Sequence, residues 1–171
     1  MIDKGLIDNL NLNARVLATR WKDKIRQAAQ LKRYNESDDE TLINTVISLF
    51  PLTARTLDRG MDRSLMGGAF VSIGKESVRS GFPVSEVIYG INLVEQTVIE
   101  YIMTDFVNDN PLKMYSAMSV VTTVAEFFIL GCFYLTKGFL EETYTHLNKN
   151  EAMSEEILKK YFKDDFFFKK S

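Results

Sequence analysis

Cysteine occurs once, at Cys132, and histidine once, at His146, in a chain of 171 residues. A single cysteine excludes a disulfide framework and a four-ligand zinc site, and a single histidine excludes a His-His-carboxylate zinc site and a two-histidine diiron bundle. Proline is confined to Pro51, Pro83 and Pro111, and no long run alternates apolar with polar residues, so the strand signal is missing. Neither charge dominates. Twenty-one Lys and Arg stand against 23 Asp and Glu, with a net charge of -2, which gives no global field for nucleic acid. A phosphate-cradling loop is also absent, because Gly74-Lys75 is followed by Glu76 and the position five before Gly74 is Ala69. No serine sits on a strained elbow that could use His146 in a hydrolytic triad.

What is present is apolar spacing of three and four residues almost throughout. At 46% hydrophobic residues, a chain of this length buries about 70% of its unfolded surface and folds without a metal or disulfide. The fold class expected is all-α, globin-like or an antiparallel bundle of about five to seven helices, over residues 1–150, followed by a C-terminal amphipathic tail over 151–171. Leu6, Leu10, Ala14, Leu17, Trp21, Ile25 and Ala28 form the stripe of a first helix of about seven turns. Ser37 with Glu40 fits a capping box for the second helix, and Pro51 should kink or interrupt it. A third helix over 62–80 places Leu65, Ala69, Ile73 and Val78 inward. Its Gly67, Gly68 and Gly74 imply a close neighbour or a local break. Gly81 is read as a left-handed cap and Pro83 as the start of the fourth helix, through Val87, Ile91, Val94, Val98, Ile102 and Phe106.

The most apolar stretch runs from Met118 to Leu140. One stripe holds Met118, Val121, Ala125, Phe128, Cys132, Leu135 and Phe139, and a second holds Val120, Val124, Phe127 and Tyr134. Such a helix must be covered on more than one side. It approaches spanning length, but Glu126, Lys137 and several threonines fit a central helix of a soluble bundle better than stable membrane insertion. The expectation is a homodimer built partly on this helix, which Gly131 or Gly138 could bend. The opening residues carry no secretory pattern, so the localisation expected is cytoplasmic.

Three possible sites follow from residue chemistry. His146, in a polar stretch near a helix end, is the one possible proximal ligand for a haem, although its surroundings suit a solvated histidine better. Glu86, Glu95 and Glu126 are the carboxylates an enzyme could use. Residues 1 to 36 are locally basic, with eight Lys and Arg against four Asp and Glu, and read as a solvated face. The tail sets Tyr161, Phe162, Phe166, Phe167 and Phe168 among lysines and acids, and is expected to fold back on the bundle.

The run Ile73-Gly74-Lys75-Glu76-Ser77-Val78-Arg79-Ser80-Gly81-Phe82-Pro83-Val84-Ser85-Glu86-Val87-Ile88-Tyr89-Gly90-Ile91 resembles the signature of the RsbRD N-terminal family, the sensory input domains of RsbR-type stressosome proteins and related bacterial regulators. A helix ends in an arginine-containing turn, Gly-Phe-Pro follows, and the next helix opens with an acidic residue. The resemblance implies an all-α, non-haem globin-like domain, usually dimeric, that receives a signal and passes it to an attached STAS or kinase module. No such module is expected here, which leaves a freestanding sensor or adaptor. The function expected is therefore a non-catalytic bacterial signalling module acting through protein or small-ligand binding, with a kinase or STAS-type regulator as its partner. The alternative is a globin-type haem or small-ligand carrier using His146. No catalytic, metal or cofactor-binding residue and no cofactor is assigned.

Overall fold

A computed structural model describes residues 4–107 and 111–149. The tail from Glu151 lies outside them, as does the expected helix near Ser154. Among the described residues the fold is an all-α bundle: α1 (Lys4–Leu12), α2 (Ala14–Gln27), the single turn α3 (Lys32–Asn35), α4 (Asp39–Val46), α5 (Leu49–Arg59), α6 (Arg63–Arg79), α7 (Val84–Tyr101), a π turn at Ile102–Phe106, and α8 (Pro111–Lys149).

The N-terminal stripe from Leu6 to Ala28 is buried as its spacing implies, but it belongs to two helices. At Asn13 the backbone leaves helical geometry. The Asn13 side-chain amide donates to the Asn9 carbonyl and that of Asn11 to the Ile7 carbonyl, the local competition by which asparagine weakens a helix interior. The cap of α4 is Asp38, one residue after the expected Ser37. Its carboxylate accepts from the Thr41 amide at 2.9 Å and the Thr41 hydroxyl at 2.6 Å, while Glu40 pairs with Arg15 instead. Pro51 breaks nothing. It sits in the first turn of α5, where a missing N–H has no intrahelical partner to lose; the chain bends before it, at Ile47-Ser48.

α6 presents a different face from the expected one. Met66, Gly67, Phe70, Gly74 and Ser77 are buried, and Leu65 is exposed. The shift by about one residue follows from the glycines, which face α8. A Cβ on Gly74 would strike the Leu135 carbonyl oxygen and lie 2.7 Å from the Phe139 nitrogen; one on Gly138 would lie 2.8 Å from the Val71 Cα; one on Gly131 would lie 2.5 Å from the Phe70 ring. Gly131 and Gly138 therefore do not bend α8, which is one continuous helix of 39 residues. Gly138 and Gly74 are the points where the two helices come backbone to backbone, and Gly131 makes room for the Phe70 ring. Phe70 fills the space above Gly131 and packs edge-on against Phe127 and Phe128, ring centroids 5.5 and 6.4 Å away.

α7 buries Val87, Ile91, Val94, Val98 and Ile102 as expected and lies against both α2 and α8, while α5 closes against α1. α8 buries Ala117, Val120, Val124, Phe127, Phe128 and Leu135. α6 covers one side and α7 the next, and α5 and the π turn also touch it. The third side stays open, and Met118, which heads the expected inward stripe, lies on it. So do Ile129 and Phe133, at 66% and 63% exposure.

The glycines give paired expectations. A methyl group on Gly68 would meet nothing within 4 Å, so Gly68→Ala should stabilise by up to about 1 kcal/mol through helix propensity. Gly74→Ala should lose about 2 kcal/mol or more, because the overpacked atom is backbone and cannot rotate away. Urea midpoints of the two variants should move in opposite directions.

Candidate functional site

The nineteen-residue motif folds as the joint between α6 and α7. Gly81 has φ +71°; its amide donates to the Val78 carbonyl and the Phe82 amide reaches back to the Ser77 carbonyl at 2.8 Å, the six-to-one bond that closes a helix on a left-handed residue. Pro83 then caps α7 with extended ψ, 136°. The turn is held from a distance by α3. Arg33 donates from its guanidinium to the Ser80 carbonyl at 3.1 Å, its backbone N–H donates to the Glu86 carboxylate at 2.9 Å, and its guanidinium carbon stands 5.6 Å from the centre of the Phe82 ring.

Beneath it lies an aromatic stack. Tyr34 meets Phe82 with centroids 4.7 Å apart and Trp21 edge-on at 5.8 Å. Gly90 supplies the room: a Cβ there would lie 3.1 Å from the Tyr34 hydroxyl, and its carbonyl accepts the Trp21 indole N–H at 2.8 Å. Burial, with the negative charge of Glu86 behind it, pushes the Tyr34 phenol well above its usual range. Sequence spacing does not reveal Arg33, Tyr34 and Trp21 as parts of this joint, since they lie far from Gly81 along the chain and bear no periodic relation to it.

The three carboxylates do not form one site. Glu86 is engaged by Arg33. Glu95 lies further along α7, beyond two turns; burial raises its carboxyl. Its neighbour is Cys132, whose thiol is pushed up by burial and then by the Glu95 charge, and whose sulfur lies 3.8 Å from the Asn92 amide oxygen. Glu126 stands on the open side of α8. Among the described residues no three His, Cys, Asp and Glu side chains gather as metal ligands. His146 is exposed, one turn from Glu142, with its Nε2 3.3 Å from that carboxylate, and Glu142 is itself held low chiefly by Arg79.

The basic N-terminal region is more than a solvated face. Arg20 reaches Asp105 at 2.7 Å, Lys24 reaches Glu100 at 2.7 Å, and Arg26 grips Asp39 at 2.7 Å and the Ser37 carbonyl at 2.6 Å. These pairs tie α2 to the end of α7 and to α4. Each exposed pair adds about 0 to 1 kcal/mol, and together they leave little free positive charge on α2. Two open grooves of about 340 and 430 Å³ flank α6, the first lined by Arg55, Arg59 and Leu65 among others, the second by Arg63, Gly67, Tyr134 and Lys137. By length and composition Ala117–Leu147 is apolar enough to cross a membrane, with mean hydropathy 1.8 and 33% of the window buried.

Comparison with protein-family models, with curated proteins and with solved structures finds no match.

The buried phenol and the exposed imidazole each yield a measurement. The folded state keeps the Tyr34 proton above the ordinary phenol pKa of 10.0 whereas the unfolded chain releases it there. Above about pH 10 the unfolded state therefore binds fewer protons, and stability falls as pH rises. Tyr34→Phe should flatten this alkaline loss, read as the urea midpoint followed from about pH 9 to 11. A visible spectrum of the purified chain should carry no Soret band, because His146 lies in solvent beside a carboxylate; a band abolished by His146→Ala would support the haem carrier.

Proposed function

We propose that the chain is a non-catalytic bacterial signalling module, a cytoplasmic sensor or adaptor that acts through protein–protein contact. The observation that carries this reading is the open side of α8. Met118, Ile129, Phe133, Leu140 and Tyr144 are large, apolar or aromatic, and exposed, and their helical steps of four, seven and eleven residues keep them on one side of the helix. Contiguous apolar surface of this kind on a folded domain marks an interaction site. The groups with chemical potential point the other way: Glu86 is spent on the Arg33 amide, Glu95 and Cys132 are partly buried beside each other, and His146 sits on a helix end. The joint at Gly81, with its resemblance to stressosome input domains, supports the class of process, and a kinase or STAS-type regulator is the kind of partner that class implies.

The reading is tested in the cell. Deletion of the gene should shift output of the stress or regulatory response that its partner controls, and complementation should succeed with the wild type and fail with Phe133→Glu at equal protein level. Full complementation by Phe133→Glu would remove the open side of α8 from the signalling surface.

A further inference from the structure

The open side of α8 is self-complementary, and we infer that it is covered by the same side of α8 from a second copy of this chain, running antiparallel. The inference rests on the reading of that side as a contact surface and names its occupant.

Between Ala117 and Leu140 the helix carries two charged residues, Glu126 and Lys137. Both are exposed, and neither has an ion-pair partner among the described residues. They are eleven residues apart, three turns, so they stand at the same border of the open side about 16 Å from one another. Their midpoint falls between Gly131 and Cys132, and the midpoint of α8, which spans Pro111–Lys149, is residue 130. A two-fold axis that lies in the interface there, perpendicular to the helix, brings Glu126 level with Lys137 of the second copy, and Lys137 level with its Glu126, on one shared border, while the two helices overlap along nearly their whole length. The same operation gathers Ile129 and Phe133 of both copies around the axis and sets Met118 near the turn of the other copy's Tyr144. A parallel pairing would instead set each charge level with its own kind, on opposite borders, and forfeit both pairs; charge complementarity thus selects the antiparallel arrangement.

The apolar area is of the right order. Met118, Ile129, Phe133, Leu140 and Tyr144 each offer on the order of 100 Å², and five in each copy give roughly 1,000 Å² of buried surface, the lower bound of a specific interface. The charged border then fixes direction, and the apolar centre supplies attraction.

Light scattering after size exclusion, with sedimentation equilibrium for the dissociation constant, tests this on the full chain. The wild type should have twice the 19.6 kDa chain mass at micromolar concentration, and Phe133→Glu should be monomeric with unchanged helical circular dichroism. Glu126→Lys and Lys137→Glu should each weaken the dimer at least tenfold, since each turns both pairs into like charges. Mixing the two variants should restore association as a heterodimer, because one chain then presents a cation at both positions and the other a carboxylate at both. The weakening by each single variant is the signature of the antiparallel axis, because a parallel pairing keeps its charges on opposite borders and would not feel them; restoration on mixing shows that the loss is electrostatic. A wild type that stays monomeric at high concentration overturns the inference, as does a dimer indifferent to Phe133→Glu, or one that mixing does not restore. A monomer that floats with lipid vesicles would assign the surface to a membrane, and a monomer that dimerises only after removal of residues 151–171 would assign it to the tail. Dimerisation by the wild type together with full complementation by Phe133→Glu would leave the pairing standing and sink the signalling role.

Discussion

The approach of α6 to α8, backbone against backbone, is the constraint on which the rest of the bundle depends. Gly74 on α6 and Gly138 on α8 leave no room for a methyl group against the other helix's backbone, and Gly131 leaves none beneath the Phe70 ring, so the two axes are drawn closer than ordinary side chains permit. That closeness brings Phe70 over α8, where it completes a cluster with Phe127 and Phe128. It also sets the reach of the ion pairs at the C-terminal end of α6, where Lys75 meets Glu141 at 3.2 Å and Arg79 meets Glu142 at 2.9 Å. With α6 pressed against one side and α7 on the next, and α5 and the π turn also touching α8, Met118, Ile129, Phe133, Leu140 and Tyr144 stay exposed. The exposed apolar line on α8 is thus a result of how tightly its first neighbour packs.

The second fixed point is the joint at Gly81. A left-handed residue reverses the chain in two residues and makes α6 and α7 neighbours, and the single turn α3 locks the reversal from outside through Arg33, Tyr34 and their contacts with Ser80, Phe82, Glu86 and Gly90. The glycines at positions 81 and 90 have unlike reasons. One is required by backbone conformation, the other by the ring of Tyr34 and the indole of Trp21 arriving from the N-terminal half of the chain.

Much of the architecture was legible because amphipathic spacing needs only local information. The stripes of α1, α2 and α7 and the cap at Gly81 follow from residues a few positions apart. Legibility failed wherever the deciding partner was remote. The inward face of α6 could not be found by hydrophobicity, since its closest contacts are made by glycines. Asp38 stands as the cap in place of Ser37, its carboxylate accepting from both the Thr41 amide and hydroxyl, while the Ser37 carbonyl accepts from Arg26 on another helix. The two apolar stripes visible on α8 are both covered apart from Met118, whereas the exposed line of Ile129, Phe133, Leu140 and Tyr144 belongs to neither stripe and emerges only once the neighbouring helices are in place. The haem, carboxylate and basic-face possibilities rested on residue types, and only their placement shows Glu86, Glu95, Glu126 and His146 to be scattered and the basic residues of α2 to be paired.

α8 continues for seven residues beyond Glu142, which Arg79 of α6 pairs with at 2.9 Å. That extension is about 10 Å of helix. Because interlocked backbones cannot slide past one another by small steps, α6 and α8 turn as a single piece, and the extension turns with them. For a rigid rod of that length, a tilt of about 5° would correspond to a displacement of about an ångström at its end.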